Sequence, residues 1–105
     1  GSGRLDVFAT PAMVAMMEEA AHTSVETELE EGQGTVGTSM TVSHLAATPV
    51  GMEVTCESEL VEVDGRKLVF EIKAMDEAGL IGEARHERFI IENEKFLAKT
   101  NAKLK

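Results

Sequence analysis

Aromatic side chains are almost missing from this chain: its 105 residues include four Phe and neither Trp nor Tyr. A core must therefore be assembled from Val, Leu, Ile, Met and Ala, and stacking platforms for nucleic-acid bases have almost nothing to be built from. Positive charge is scarce as well, with 10 Lys and Arg against 19 Asp and Glu and a formal net charge of −9. A phosphate backbone would be repelled, so both shortages argue against a nucleic-acid partner. Cysteine is reduced to Cys56, which removes any internal disulfide and makes a reducing, cytoplasmic compartment the expectation. No long apolar run and no charged-then-apolar leader occurs, so neither a membrane span nor a signal peptide is expected. Three separated histidines, His22, His44 and His86, have no cysteine at ligand spacing, and a structural metal is rejected.

What is present suits one globular unit. With 43% hydrophobic residues, the chain is expected to form a single domain over 1–105. Its charge is uneven: residues 1–84 hold four Lys or Arg against sixteen acids, net −12, and residues 85–105 hold six against three, net +3. The basic end reads either as a solvated helix face or as a landing place for a small polyanion such as a nucleotide phosphate.

The stretch "FATPAMVAMMEEAA", residues 8–21, has the pattern of a helix start. Thr10 can cap it with Pro11 at the first helical position, and the periodic segment runs to about Glu30 before Gly32 stops it. On a helical wheel with Val14 at zero, Ala21, Val25 and Leu29 fall at about −20°, 20° and 60°, while Glu19, Glu26 and Glu30 gather at about 120° to 160°. Glu18 falls near 40°, on the apolar stripe. A buried carboxylate is costly without a partner, so Glu18 is either a rim residue or a working acid.

Beyond the helix the period changes to two. A strand is expected from about Thr35 to His44, then a turn at "AATPVGM", then the arms "EVTCESELVEV" and "RKLVFEIKA" around Asp64-Gly65, a hairpin signal that would set Glu62 opposite Lys67. Leu68, Phe70, Ile72 and Ala74 alternate with Lys67, Val69, Glu71 and Lys73, giving a sheet with one buried side. "LIGEARHERFII" is a last long strand, with His86 and Arg88 on one face and Glu87 on the other, and "ENEKFLAKTNAKLK" a short charged helix. The order is α+β, a helix laid across a curled antiparallel sheet. One helix covers only part of such a sheet, so pairing of two chains is expected.

Three polar residues invite a functional reading. Thr10 is either a helix cap or part of a site, His44 a structural hydrogen-bonding residue or a catalyst, and Glu18 the acid already described. His22, at the helix boundary, is expected to be solvated. Gly34 and Gly37 form no phosphate-binding fingerprint, which lies between a strand and a following helix, the reverse of the order here.

The blocks "VFATPAMVAMMEEAA", "GTVGTSMTVSHLAATPVG", "VDGRKLVFEIKAMDE" and "LIGEARHERFII", in this order and spacing, resemble the hotdog-fold thioesterases, most closely the fluoroacetyl-CoA thioesterase subgroup. The resemblance implies a hotdog fold, with a long central helix wrapped by a curved antiparallel sheet, and a homodimer. It implies hydrolysis of an acyl-CoA thioester to a carboxylate and free CoA, with no cofactor or metal and no partner beyond the acyl-CoA substrate and a second copy. Carried over residue by residue, Thr10, Glu18 and His44 form the catalytic set, Gly37 contacts the substrate through its backbone, and Arg88 is an active-site or CoA-side contact. A strand and lid normally precede "VFATP"; only about six residues do so here, so that first strand is expected to be missing. Two other readings use the same fold: a non-catalytic acyl-CoA-binding or sensing module that keeps the pocket, and hydration of an enoyl-CoA with a differently placed acid and histidine.

Overall fold

The computed structural model describes residues 9–104. Helix α1, Thr10–Glu26, leads into strands β1, Gln33–His44, β2, Thr55–Asp64, β3, Lys67–Asp76, and β4, Gly79–Glu92; helix α2, Asn93–Asn101, runs into a 3-10 turn at Ala102–Leu104. The strands form one antiparallel sheet in the order β1-β4-β3-β2. This is the expected α+β order. Val7 and Phe8, which lead into the helix, and any strand before them fall outside the described residues. No helix among those residues is long and apolar enough to cross a membrane.

The Ala-, Met- and Glu-rich segment favours helix, and its buried face is Met13, Met17, Ala21 and Val25. Residues four apart drift only about 40° around the axis, so these make one stripe, packed on Leu68, Phe70, Ile72, Ala74, Ile81 and Ala84. Because the two methionines take the stripe, its centre lies near −40° on the wheel, and Glu18 sits about 80° away from it. Glu18 is thus exposed in the protomer, which corrects the expected burial. The helix also ends at Glu26, short of Glu30, and Gly32, at φ +84°, brings the chain into β1. His22 therefore lies a full turn inside the helix and is partly buried. Ala9 is the N-cap and makes no side-chain cap bond; the Thr10 hydroxyl is directed to a partner on β1 instead.

Two bulges shape the sheet. In β1, Gly37 pairs with Arg88 but Ser39 with Glu87, so Thr38 is the extra residue and its hydroxyl bonds the Glu87 carbonyl at 3.2 Å. An extra residue reverses the alternation of a strand. Thr35 and Gly37 before the bulge and Met40, Val42 and His44 after it consequently share the face under α1. In β2, Val61 is extra, and Glu62 lies opposite Val69, not Lys67 as expected. The hairpin loop is Gly65-Arg66, with Asp64 paired to Lys67. Gly65 supplies the positive φ of +61° at the first central position, the sign pattern of a type II′ turn. The Lys67 ammonium still reaches Glu62 at 4.0 Å and Glu87 at 3.9 Å.

Two contacts fix the ends of the sheet. Gly82 of β4 has no side chain, and the Met13 Sδ fills the space: a Cβ built there would lie 2.6 Å from Sδ and 3.2 Å from the Ser43 carbonyl. Gly82→Ala should cost about 1–3 kcal/mol by overpacking, read as a lower urea midpoint. At the β3–β4 turn the Asp76 carboxylate accepts from the Thr48 hydroxyl at 2.8 Å and from the Ala78 and Gly79 amides at 2.8 and 3.1 Å. These bonds, the Thr48 one foremost, hold Asp76 below its ordinary value of 3.8. A depressed carboxylate contributes stability above its unfolded value and loses it as pH falls through the folded one. Asp76→Asn should therefore lower the urea midpoint at pH 7, and the gap to the parent should narrow once the pH drops below 3.8.

Candidate active site

Alternation along β4 puts Gly82, Ala84, His86 and Arg88 on the helix-facing side. The first two suit a core, and the last two do not: His86 is 1% exposed and Arg88 8%. Each needs partners and has them. His86 Nδ1 lies 2.8 Å from the Ser39 carbonyl, and its Nε2 lies 3.1 Å from Arg88 Nη1. A carbonyl only accepts and a guanidinium only donates, so the ring is the neutral tautomer with its proton on Nδ1. Arg88 also donates through Nε to Thr35 Oγ1 at 2.8 Å and through Nη2 to the Thr35 carbonyl at 2.9 Å. Burial pushes the guanidinium below its ordinary value, and the Glu18 carboxylate draws it partly back.

Gly37 sits where these groups meet Glu18. A Cβ on Gly37 would lie 3.1 Å from His86 Cε1, 3.4 Å from Arg88 Nη1 and 3.6 Å from Glu18 Oε2. One point on β1 is thus ringed by an imidazole, a guanidinium and a carboxylate. Glu18 and Arg88 also line a shallow depression of about 350 Å³, together with Ala15, Glu19 and His22. Glycine here leaves a bare backbone within reach of a ligand.

Thr10 and His44 form a second cluster. Thr10 Oγ1 lies 2.8 Å from His44 Nδ1, and His44 Nε2 is buried with no hydrogen-bond partner among the described residues. His44 pairs with Gly82 in the sheet, directly below Met13. Seating Met13 there brings the first turn of α1 down onto the end of β1.

The five residues singled out in the sequence therefore fall into two groups, Thr10 with His44, and Glu18 with Gly37 and Arg88. Thr10 and Glu18 are eight residues apart, about 12 Å along a helix, and Gly37 and His44 are about 20 Å apart along the strand. Within one chain the groups do not meet. His86 and Thr35 belong to the second group and were not singled out. Alternation through "RHER" shows His86 beside Arg88, but Thr35 reaches that face only through the bulge. Among the described residues no three His, Cys, Asp or Glu side chains gather as a cation site.

Comparison with known proteins gives the family. The family model for the fluoroacetyl-CoA-specific thioesterase matches residues 1–94. The fluoroacetyl-CoA thioesterase of Streptantibioticus cattleyicolor is 45% identical over 98 residues, 93% of this chain and 70% of that protein. A variant of the fluoroacetyl-CoA-specific thioesterase in complex with fluoroacetate and CoA superposes with a TM-score of 0.91 at 43% identity, covering 97% of this chain and 80% of that one. A hot-dog-like protein from Thermanaerovibrio acidaminovorans, 24% identical, gives a TM-score of 0.91 over 95% of this chain and 74% of its own, a likeness of fold. The architecture is the hotdog fold, and the chain belongs to the fluoroacetyl-CoA-specific thioesterase family.

Proposed function

We propose that this chain hydrolyses an acyl-CoA thioester to a carboxylate and free CoA as a homodimer, each site combining the Thr10–His44 pair of one copy with Glu18, Gly37 and Arg88 of the other. Thioester hydrolysis asks for a base or nucleophile, donors for the oxygen that becomes negative, and a proton for the departing thiolate. Glu18 takes the first role, either drawing a proton from water as the water oxygen attacks the carbonyl or attacking it directly. The Gly37 N–H and the Arg88 guanidinium face the carbonyl oxygen as its charge develops. With the Thr10 hydroxyl donating to Nδ1, His44 carries its proton on Nε2 and donates it as a hydrogen bond that polarises the thioester and steadies the departing CoA thiolate, which takes up the proton released by the attacking water. These side chains cover every proton transfer, so no cofactor is needed. The CoA phosphates are directed to the net-positive stretch 85–105.

The observation that carries this reading is the meeting of Glu18, Arg88 and Gly37 around one point in a chain 45% identical to a fluoroacetyl-CoA thioesterase. Pairing is supported by the separation of the two groups, which no single thioester carbonyl could bridge, since a general base works within about 3 Å of its proton. It is supported also by shape: the radius of gyration is 16.0 Å, where a compact chain of this length comes to about 13 Å. Leu60, Val61 and Val63 on edge strand β2 are exposed in the protomer, an arrangement that pairing relieves.

Adjacent Glu18 and Glu19 separate the roles. Glu18→Gln keeps size and removes the charge, and turnover of acetyl-CoA or a longer acyl-CoA, followed by thiol release, should fall at least about 10²-fold with folding intact. Glu19→Gln should leave activity near the parent and stability within about 0.5 kcal/mol. Equal activity in the two folded variants would remove Glu18 from the chemistry.

A further inference from the structure

Arg88 is the longest side chain in the site, and it stands on a strand with no acid to pin it. Among the described residues no carboxylate lies within 4.0 Å of its guanidinium, although only 8% of the residue is exposed. A buried cation without a counter-ion is costly, and its orientation depends on neutral acceptors. Thr35 provides two of them, on Nε and Nη2. The third, on Nη1, is the nitrogen of a histidine that the chemistry above does not use.

We propose that His86 is a positioning residue: its neutral imidazole, held by the Ser39 carbonyl, offers Nε2 as the acceptor that fixes Arg88 Nη1 beside Gly37 and Glu18. The ring is well placed for this. It is fully enclosed, lies between Met40 and Phe70 as cross-strand neighbours, and sits 6.3 Å from the Phe70 ring with the planes tilted by 34°. Ser39 is the residue that follows the bulge, so the kink that exposes Gly37 also supplies the carbonyl that sets the tautomer. Of the five guanidinium N–H groups, three are committed to Thr35 and His86. One of the two that remain is on Nη1, 3.4 Å from the point a Cβ of Gly37 would occupy. The ring thus keeps a donor directed at the place where charge develops. A histidine needed only for packing would be satisfied by Ser39 alone.

This inference rests on Arg88 acting in the acyl-CoA site, and two substitutions separate it from a structural role. His86→Asn retains an N–H at the Nδ1 position for Ser39 and offers nothing at the Nε2 position. His86→Gln retains an acceptor oxygen near the Nε2 position. Loss of a hydrogen bond to a charged group predicts that His86→Asn lowers kcat about 10-fold or more with KM little changed, and His86→Gln should recover most of that loss. Thr35→Val, at a half-buried position away from the ring, removes the Nε acceptor and should lower kcat in the same sense; it carries the test if His86→Asn does not fold.

Nitrogen NMR of the full chain without substrate gives a second readout. Nδ1 of His86 should be protonated and Nε2 not, and the Arg88 Nη signals, separately resolved in the parent, should merge in His86→Asn and separate again in His86→Gln. Parent-like kcat in His86→Asn, equal losses in the Asn and Gln variants, or unaltered Arg88 signals would overturn the role of His86. A parent that releases no thiol from any acyl-CoA while the spectra behave as described would overturn the proposed function and leave the positioning of Arg88 standing.

Discussion

Met13 rests on the bare backbone of Gly82, and the height of α1 above the sheet follows from that contact. A side chain on β4 at this point would displace the Met13 thioether. At the present height Thr10 reaches His44, the next contact along the same end of the sheet. Two turns further on, the same helix sets Glu18 over Gly37, a place where β1 offers no side chain. Gly82 on β4 lies beside one polar cluster and Gly37 on β1 within the other. Packing and chemistry share one constraint, since the core residues Met13 and Met17 hold in place an acid that is itself outside the core.

The second cluster gathers charge where the fold least favours it. The chain is acidic overall, at −9, yet it buries a guanidinium and surrounds it with a hydroxyl, a backbone carbonyl and a neutral imidazole. Such a cage orients the cation without neutralising it. Its positive field is left for Glu18 and for whatever negative charge arises on a ligand, in a setting where low dielectric strengthens the interaction. The bulge at Thr38 is what allows this, because it lets Thr35 and Gly37 share a face with His44.

The element order, the inner face of β3 and the pairing of His86 with Arg88 on one side of β4 were legible in the sequence, since each depends on a period of two or 3.6 that packing did not override. Thr10, Glu18, His44, Gly37 and Arg88 were singled out through the resemblance of whole blocks, and the structure draws them into two groups. What escaped has a common cause. Val14 and Leu29 are more hydrophobic on paper than Met13 and Met17, but methionine can reach over Gly82 and fill an irregular gap, so the stripe turned and Glu18 came to its edge. The register between Glu62 and Lys67 failed because the turn falls on Gly65-Arg66, one residue later than Asp64-Gly65, which sets Glu62 opposite Val69. Thr35 was hidden by the extra residue Thr38 on β1. The distance between the two polar clusters is a property of the assembled helix and sheet, and no local pattern carries it.

That distance makes a second copy part of the proposed chemistry, and mixing two inactive variants tests this most directly. Glu18→Gln and His44→Ala chains, each inactive alone, are unfolded together, refolded at equal amounts and assayed for thiol release. If each site takes Glu18 from one copy and His44 from the other, half of the dimers are mixed and each holds one intact site, so about a quarter of the parent activity should return. If both residues act within one chain, every site in the mixture lacks one of them, and activity that stays at the level of the separate variants would contradict the account.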